Sequence, residues 1–427
     1  MVDVVATNQT IMVVGGGISG LTAAIEAAEC GKQVILIEKN PSVGGRITQL
    51  YKYFPKMCHP TCGLEINLRR LKASKNIRVI TMAEVSDVAG ETGNYKVNVT
   101  MQPRYINENC TACGDCAKDI EAEFDDEYHF GMKKRKGVYL AHKMAYPQRY
   151  VIDPRIIGTA DADKAKAACK FDAVNLDMQE QTMELTVGAI IWATGWKPYD
   201  AAKIQPYGYD RYENVITSVE LERMMDPLGP TGGKLVRPSD GKEAKNVAFI
   251  QCAGSRDKNH LAHCSRICCM ASLKQSTYLR EQFGDEGKSS IYYIDIRAID
   301  RIDDFHQKVK QDPNVTFVKS KVANITQDKD GNPVVHGVDT EGYHRYSNPH
   351  DLVVLAVGME PSVPKDSLPT QVVVNDNGFI EHDDSNGAIF AAGCASDALD
   401  VNRAVQSATA SALRAIQVVN RVAGTEG

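Results

Sequence analysis

Residues 11–38 constrain this chain more than any other stretch. Four apolar residues, Ile11-Met12-Val13-Val14, run into Gly15-Gly16-Gly17-Ile18-Ser19-Gly20. A helix-forming segment follows from Leu21 to Cys30, and a second apolar run, Gln33 to Ile37, ends at Glu38. The order reads strand, glycine turn, helix, strand. Each glycine has its own task in such a unit. Gly15 permits the tight turn, Gly17 lets the backbone approach a pyrophosphate at the helix amino terminus, and Gly20 permits close contact between helix and strand. Glu38, at the strand end, can accept hydrogen bonds from ribose hydroxyls. Ser19 in the turn and Lys39 beside the acid complete the candidate nucleotide-binding set. A βαβ unit of this kind commits the chain to an α/β fold.

Composition bounds the rest. The 427 residues include 49 basic and 54 acidic side chains, a net charge of −5. That length suggests two to four folding units, and the near balance leaves no electrostatic footprint for nucleic acid. The stretch Met1 to Thr10 lacks the basic start and apolar middle of a signal peptide. No apolar run approaches the roughly 20 residues that span a bilayer. A cytoplasmic location is therefore expected, and the 12 cysteines must be explained as thiols, redox centres or metal ligands rather than as a secreted disulfide framework.

Three further segments direct the nucleotide site towards FAD. Ser42-Val43-Gly44-Gly45-Arg46 resembles the glycine pair that follows the second strand in flavoproteins with two dinucleotide-binding domains, of the thioredoxin-reductase type. In those proteins it helps hold the flavin diphosphate. Ala189-Ile190-Ile191-Trp192-Ala193-Thr194-Gly195 resembles the strand by which such chains return to the flavin domain, and Ala388 to Gly393 resembles their last flavin-contacting strand. A helix over Asn402 to Arg421 would offer its positive end to a reduced flavin. One position departs from the pattern: Cys394 stands where an aspartate usually contacts the ribityl chain.

A second nucleotide unit is expected farther along. Asn246 to Gln251 reads as a strand, Ala271 to Gln282 as a helix and Ile291 to Ile296 as the next strand. The turn that should carry glycines carries four thiols instead: Cys252, Cys264, Cys268 and Cys269. Thiolates are soft ligands suited to iron–sulfur clusters or zinc. Zinc favours two separated pairs, which the adjacent Cys268-Cys269 fits poorly; buried free cysteines are the plainer alternative. The spacing Cys252-x11-Cys264-x3-Cys268-Cys269, with Gly254-Ser255-Arg256-Asp257, resembles the cluster-binding segment of the heterodisulfide reductase A subunit. Overall length, without a carboxy-terminal ferredoxin extension, resembles most the A subunit of the quinone-interacting membrane-bound oxidoreductase complex of sulfate reducers. The resemblance implies a [4Fe-4S] cluster on these four cysteines and a reductant other than NAD(P)H.

Residues 103–180 interrupt the flavin domain and contain Cys110-x2-Cys113-x2-Cys116, the opening of a bacterial ferredoxin motif. Ile120 and Glu121 stand where the fourth cysteine and its proline belong. In two-cluster ferredoxins the last ligand of each cluster comes from the other run. Cys169, in a segment ending Ala173-Val174, occupies that place here. Cys110, Cys113, Cys116 and Cys169 thus form one complete ligand set, while every ligand of the second set is gone. The expectation is a ferredoxin-like insertion with one [4Fe-4S] cluster; an empty vestigial fold is the alternative. Lys133-Lys134-Arg135-Lys136 reads as a solvated loop rather than a docking patch.

Cys58-His59-Pro60-Thr61-Cys62 lies where disulfide oxidoreductases of this architecture carry a redox-active pair. Here three residues separate the cysteines rather than four, so a ligand role or simple packing competes with catalysis. Cys30 reads as core. The expected division is a flavin domain of residues 1–102, 181–243 and 350–427, an insertion of 103–180, and a second Rossmann-like domain of 244–349. No Ser-His-Asp set, metal-hydrolase helix or paired carboxylates with substrate context are present. The expected function is therefore electron transfer. The resemblance implies partners in the form of B and C subunits, a membrane quinone pool reached through them, and adenylylsulfate reductase as acceptor in sulfate respiration, with membrane association only through partners. The alternatives are a disulfide oxidoreductase using Cys58 and Cys62 and a flavin-bearing structural subunit.

Overall fold

The computed structural model describes residues 6–382 and 387–425; residues 1–5 of the amino-terminal stretch read above for a targeting signal lie outside them. The chain divides into two compact units. One comprises residues 1–48, 61–196 and 361–427, the other residues 49–60 and 197–360. Among the described residues no helix is long and apolar enough to cross a membrane.

The first unit is built on a five-stranded sheet in the order Ile389–Ala391, Ala189–Trp192, Thr10–Val14, Gln33–Glu38, Ile77–Thr81. All its pairs are parallel, so Val14 lies beside Trp192 and Trp192 beside Ala391. Every residue of Thr10–Val14 is buried, as a parallel sheet covered on both faces requires. The glycine turn, Ala193-Thr194-Gly195 and Gly393 therefore all emerge from one edge, the carboxyl ends of the strands, where open α/β sheets bind ligands. The helix Ile18–Glu29 packs against the long helix Val401–Thr425. Cys30 caps the first of these and is exposed, not core. Gly31, at φ +82°, turns the chain away immediately after it.

The insertion leaves an antiparallel ladder at Met101 and rejoins it at Gln181, residues that pair directly. An excursion that begins and ends on one rung leaves the ladder intact. It has its own small core of Ile106, Cys116, Ile120, Val138, Ile152, Ile156, Ala165, Ala173 and Val174. The basic run is not a solvated loop. Lys134–Lys136 forms a strand against Glu123–Asp125, and its charges are matched locally. Lys134 pairs with Asp125 at 2.6 Å, Arg135 with Glu127 at 3.0 Å and with buried Asp153 at 3.1 Å. Cross-strand charge pairing of this sort stabilises a two-stranded ribbon. Asp153 also accepts from Arg155 at 2.7 Å. Burial alone would raise its carboxyl, but the hydrogen bonds from Arg155 and Arg135 bring it down to about 2. A depressed carboxylate contributes stability above its unfolded pKa of about 3.9 and loses it as pH falls towards the folded value. Melting temperature should therefore drop between about pH 4 and pH 2, and an Asp153→Asn variant should lack that part of the acid dependence.

The second unit has a parallel five-stranded sheet in the order Val215–Thr217, Leu352–Val357, Asn246–Ala253, Lys288–Tyr293, Val315–Lys319. A three-stranded antiparallel sheet, Asn324–Gln327, Pro333–Asp339 and His344–Pro349, accompanies it. Residues 197–243 and 350–360, expected in the flavin domain, sit here instead. Val215–Thr217 supplies the edge strand, and Leu352–Val357 supplies the strand beside Asn246–Ala253, buried throughout. On one face, the helices Ser218–Met225 and Cys268–Phe283 meet at Glu222. Its carboxylate takes Lys274 at 2.8 Å, Gln275 at 2.7 Å, the Tyr51 N–H at 2.9 Å and the Tyr278 hydroxyl at 3.2 Å. Lys274 also donates to the Lys52 carbonyl at 2.8 Å. This buried hub fastens the segment Gln49–Pro60 to the second unit.

Candidate functional site

At the sheet edge of the first unit, the glycine turn is shaped as a cradle. Gly15 has φ +109°, and a Cβ there would lie 2.3 Å from the Ala193 carbonyl oxygen; one on Gly20 would lie 1.7 Å from the Gly15 oxygen. Both positions exclude any side chain, the first also by its backbone conformation. A Cβ on Gly17 would meet nothing closer than the Gly45 Cα at 3.8 Å, leaving room beside this position. The glycine pair closes onto this turn. The Gly44 N–H donates to the Gly16 carbonyl at 2.8 Å, and Gly44 and Gly45 have φ of +125° and +62°. Gly393, at φ +61°, approaches Ser19 so closely that a Cβ would overlap its hydroxyl.

Glu38 is buried, and its oxygens accept from the Gly16 N–H at 2.6 Å and from Asn40 at 2.7 Å. Burial raises its carboxyl, while the amide donors of Asn40 and Gly16 oppose that rise. Oε1 takes both Asn40 donors, backbone and side chain, whereas Oε2 takes only the Gly16 N–H and retains a lone pair that a ribose hydroxyl could use. Lys39 points elsewhere, pairing with Glu84 at 3.1 Å where both are exposed. Arg46 donates to the Trp196 carbonyl at 3.2 Å, and its guanidinium lies 5.7 Å from the Phe130 ring and 5.8 Å from the Trp196 ring. Gly195 turns at φ +73° with open space beside it. Cys394 is buried and donates to the Leu399 carbonyl at 3.3 Å; burial pushes its thiol up to about 11.

Cys110, Cys113, Cys116 and Cys169 line one pocket, together with Ile106, Tyr150 and Phe171. Two sulfurs already receive backbone N–H donors at 3.4 Å, Cys110 from Ala112 and Cys169 from Ala173. Such donors favour sulfur that carries negative charge. Burial, then the neighbouring Cys110, Cys169 and Cys113, pushes the Cys116 thiol up to about 12. Among the described residues no three His, Cys, Asp or Glu side chains are grouped to hold a single metal ion. A four-iron cluster takes its thiolates at separate corners, so thiols spread over a pocket wall fit it better than they fit zinc.

In the second unit, the strand Asn246–Ala253 and the helix Cys268–Phe283 bracket the other four thiols. Cys268 and Cys269 open the helix and are buried, while Cys252 and Cys264 are half-buried. Cys252 has φ +57° and Arg256 φ +57°, strained for residues with side chains. Burial raises the Cys252 thiol, and the Arg256 guanidinium beside it acts the other way. Cys268 and Cys269 are raised by burial and then by their thiol neighbours, Cys252 and Cys264 among them, Cys269 to about 11. The Arg266 N–H donates to Cys264 at 3.4 Å. Cys252, Cys268 and Cys269, raised by burial and by the thiols around them, form with Cys264 a set whose charge a bound cation would offset.

Cys58 and Cys62 are both exposed free thiols. Cys62 sits in the first turn of the helix Thr61–Ala73 in the first unit, and Cys58 belongs to the segment of the second. Two residues given no role from the sequence stand out. The Trp192 indole N–H, at the end of the strand leading into Ala193, and both amide atoms of Gln251, next to Cys252, are buried without a hydrogen-bond partner. Buried orphans of this kind cost free energy that a bound group relieves. The available signal was a hydrogen-bonding side chain ending an otherwise apolar strand.

The sequence model of the FAD dependent oxidoreductase family matches residues 10–60. The chain is 37% identical over 418 residues to an iron-sulfur A subunit of the CoB-CoM heterodisulfide reductase of Methanopyrus kandleri, covering 95% of this chain and 63% of that protein. It is 34% identical over 424 residues to the A subunit of the H(2):CoB-CoM heterodisulfide,ferredoxin reductase of Methanothermobacter marburgensis, at 96% and 64% coverage. With the A subunit of the ferredoxin:CoB-CoM heterodisulfide reductase of Methanosarcina mazei the identity is 32% over 426 residues, at 96% and 53% coverage. The chain thus spans between about half and two thirds of the length of these relatives. Among solved structures, the thioredoxin reductase of T. acidophilum shares the fold, with a TM-score of 0.51, 13% identity and coverage of 96% of this chain and 98% of that one.

Proposed function

Nearly the whole chain is homologous to the heterodisulfide reductase A subunit, and from that premise we propose that it is the FAD and iron–sulfur electron-transfer subunit of a multi-subunit oxidoreductase. The observation that carries this reading is the pocket walled by Cys110, Cys113, Cys116 and Cys169 in the same unit as the Gly15–Gly20 cradle. Flavin exchanges electrons in pairs or singly and clusters exchange them singly, so together they form a two-to-one-electron junction. In this reading the chain's residues bind and insulate. Gly15, Gly17, Ser19 and Gly20 receive the pyrophosphate, Glu38 the ribose, and Gly44, Gly45, Ala193, Thr194, Gly195 and Gly393 line the cofactor. Cys252, Cys264, Cys268 and Cys269 hold one [4Fe-4S] cluster, and Cys110, Cys113, Cys116 and Cys169 the other.

Anaerobic purification with iron and flavin quantification and EPR tests the reading. About eight irons and one FAD per chain are expected; about four irons would remove the insertion cluster, and none would sink the proposal. The names of the relatives favour a second reading, in which the complex reduces a disulfide and the exposed Cys58 and Cys62 take part. A Cys58→Ser variant that loses disulfide reduction while still passing electrons to a one-electron dye would establish it. The finer assignment has B and C subunits linking the chain to membrane quinone, with adenylylsulfate reductase as acceptor. It rests on the sequence resemblance, and failure of the assembled complex to exchange electrons with that reductase would end it.

A further inference from the structure

The loop carrying the glycine pair meets the glycine turn on one side and is held by the insertion through several further contacts. Ser42, itself buried, shares a hydrogen bond of 3.1 Å with His142 Nε2. The Val43 N–H donates to the Tyr146 carbonyl at 2.9 Å. The Tyr128 hydroxyl donates to the Thr48 carbonyl at 2.5 Å, and the Tyr128 ring stacks on His142 with centroids 5.3 Å apart. Phe130 lies under the Arg46 guanidinium at 5.7 Å. Arg104 adds a hydrogen bond to the Pro41 carbonyl. Gly44 and Gly45 occupy conformations that a free loop would sample among many others. Holding them in place beforehand removes an entropic cost from cofactor binding.

Tyr128, Phe130, His142 and Tyr146 all lie between Cys116 and Cys169 in sequence, and those two cysteines wall the same pocket. Anything that bonds both sulfurs closes the chain segment carrying the clamp into a loop, which reduces its freedom. We propose that His142, Tyr128 and Phe130 of the insertion are positioning residues for the FAD diphosphate loop Pro41–Thr48, so that cluster loading at Cys110, Cys113, Cys116 and Cys169 and retention of FAD are coupled. This rests on the cofactor reading above. Coupling of two binding equilibria is reciprocal, so FAD should also slow loss of iron from the insertion.

The test measures the FAD dissociation constant by ultrafiltration and flavin fluorescence, alongside iron per chain and the melting temperature of FAD-free protein. His142→Ala and Phe130→Ala should each weaken FAD about tenfold, the size expected for losing one good contact, with iron content unchanged. His142→Gln, which can still bond Ser42, should restore most of the affinity. Cys169→Ser should weaken FAD by a similar factor although it does not touch the loop, and should add little in the His142→Ala background. A purely structural role would lower the melting temperature of these variants without changing FAD affinity. FAD affinities of Cys169→Ser and His142→Ala within twofold of the parent would overturn the coupling. A parent protein that binds no FAD would overturn the cofactor reading itself, and the coupling with it.

Discussion

Replacing Lys274 by methionine should destabilise the second unit by about 3–5 kcal/mol, because it leaves a buried carboxylate without its counter-ion. Glu222 and Lys274 are both nearly sealed from solvent, at 2% and 3% exposure. Burial holds the Lys274 ammonium below its ordinary pKa, against the pull of the Glu222 charge. The remaining donors to Glu222, from Tyr51, Gln275 and Tyr278, would stabilise the stranded charge only in part. Denaturant titration followed by tyrosine fluorescence or circular dichroism reads the effect. Adding Glu222→Gln to the same chain should recover part of the loss, since the charge is then gone and the amide can still accept from Tyr51 and Tyr278. A single-variant loss below about 1 kcal/mol would show that the pair does not hold the segment Gln49–Pro60.

Gly15→Ala should abolish FAD retention. The added methyl would have to occupy space 2.3 Å from the Ala193 oxygen and 2.7 Å from its carbon, both backbone atoms that cannot rotate away. The φ of +109° is in addition one that alanine rarely adopts, at a cost of about 1–3 kcal/mol. The strand end and the turn must then separate, and with them the amide face proposed above to receive the pyrophosphate. Flavin absorbance of the purified variant should fall below about a tenth of the parent, a loss of more than about 1.4 kcal/mol. Iron loss, if any, should be confined to the insertion set, whose retention is coupled to FAD, and iron on the Cys252 set should be kept. Retention of a full flavin complement would show that the turn is not the cradle.

The flavin motifs were legible because they are local. Strand, glycine turn, helix and strand follow one another from Thr10 to Glu38, and the periodicity of apolar residues and the glycines mark them without tertiary information. The two thiol sets were legible for a related reason: cysteines are rare enough that their spacing carries meaning. The domain borders were less so. Leu352–Val357 reads equally well as a strand of either unit, and only its pairing with Asn246–Ala253 and Val215–Thr217 assigns it. The basic run was misread because its neutralising partners, Asp125, Glu127 and Asp153, lie across a ribbon or farther along the chain. Lys39 follows Glu38 in sequence, but just past the strand end its side chain turns outward to Glu84.

By itself the sequence determined the chemistry that the chain can support: a turn at Gly15 and Gly20 that only glycine fits, proposed to cradle the nucleotide, and eight thiols in two sets. These depend on residue type and short spacing, which a linear chain records directly. The tertiary structure alone decided which distant residues share a wall. It set Cys169 in the pocket of Cys110, Cys113 and Cys116, laid the insertion over the Pro41–Thr48 loop, and buried Glu222 among donors from Tyr51 and from the helix Cys268–Phe283. The physical reason is that such contacts come from packing that buries apolar surface, and packing selects partners by shape and position, not by distance along the chain.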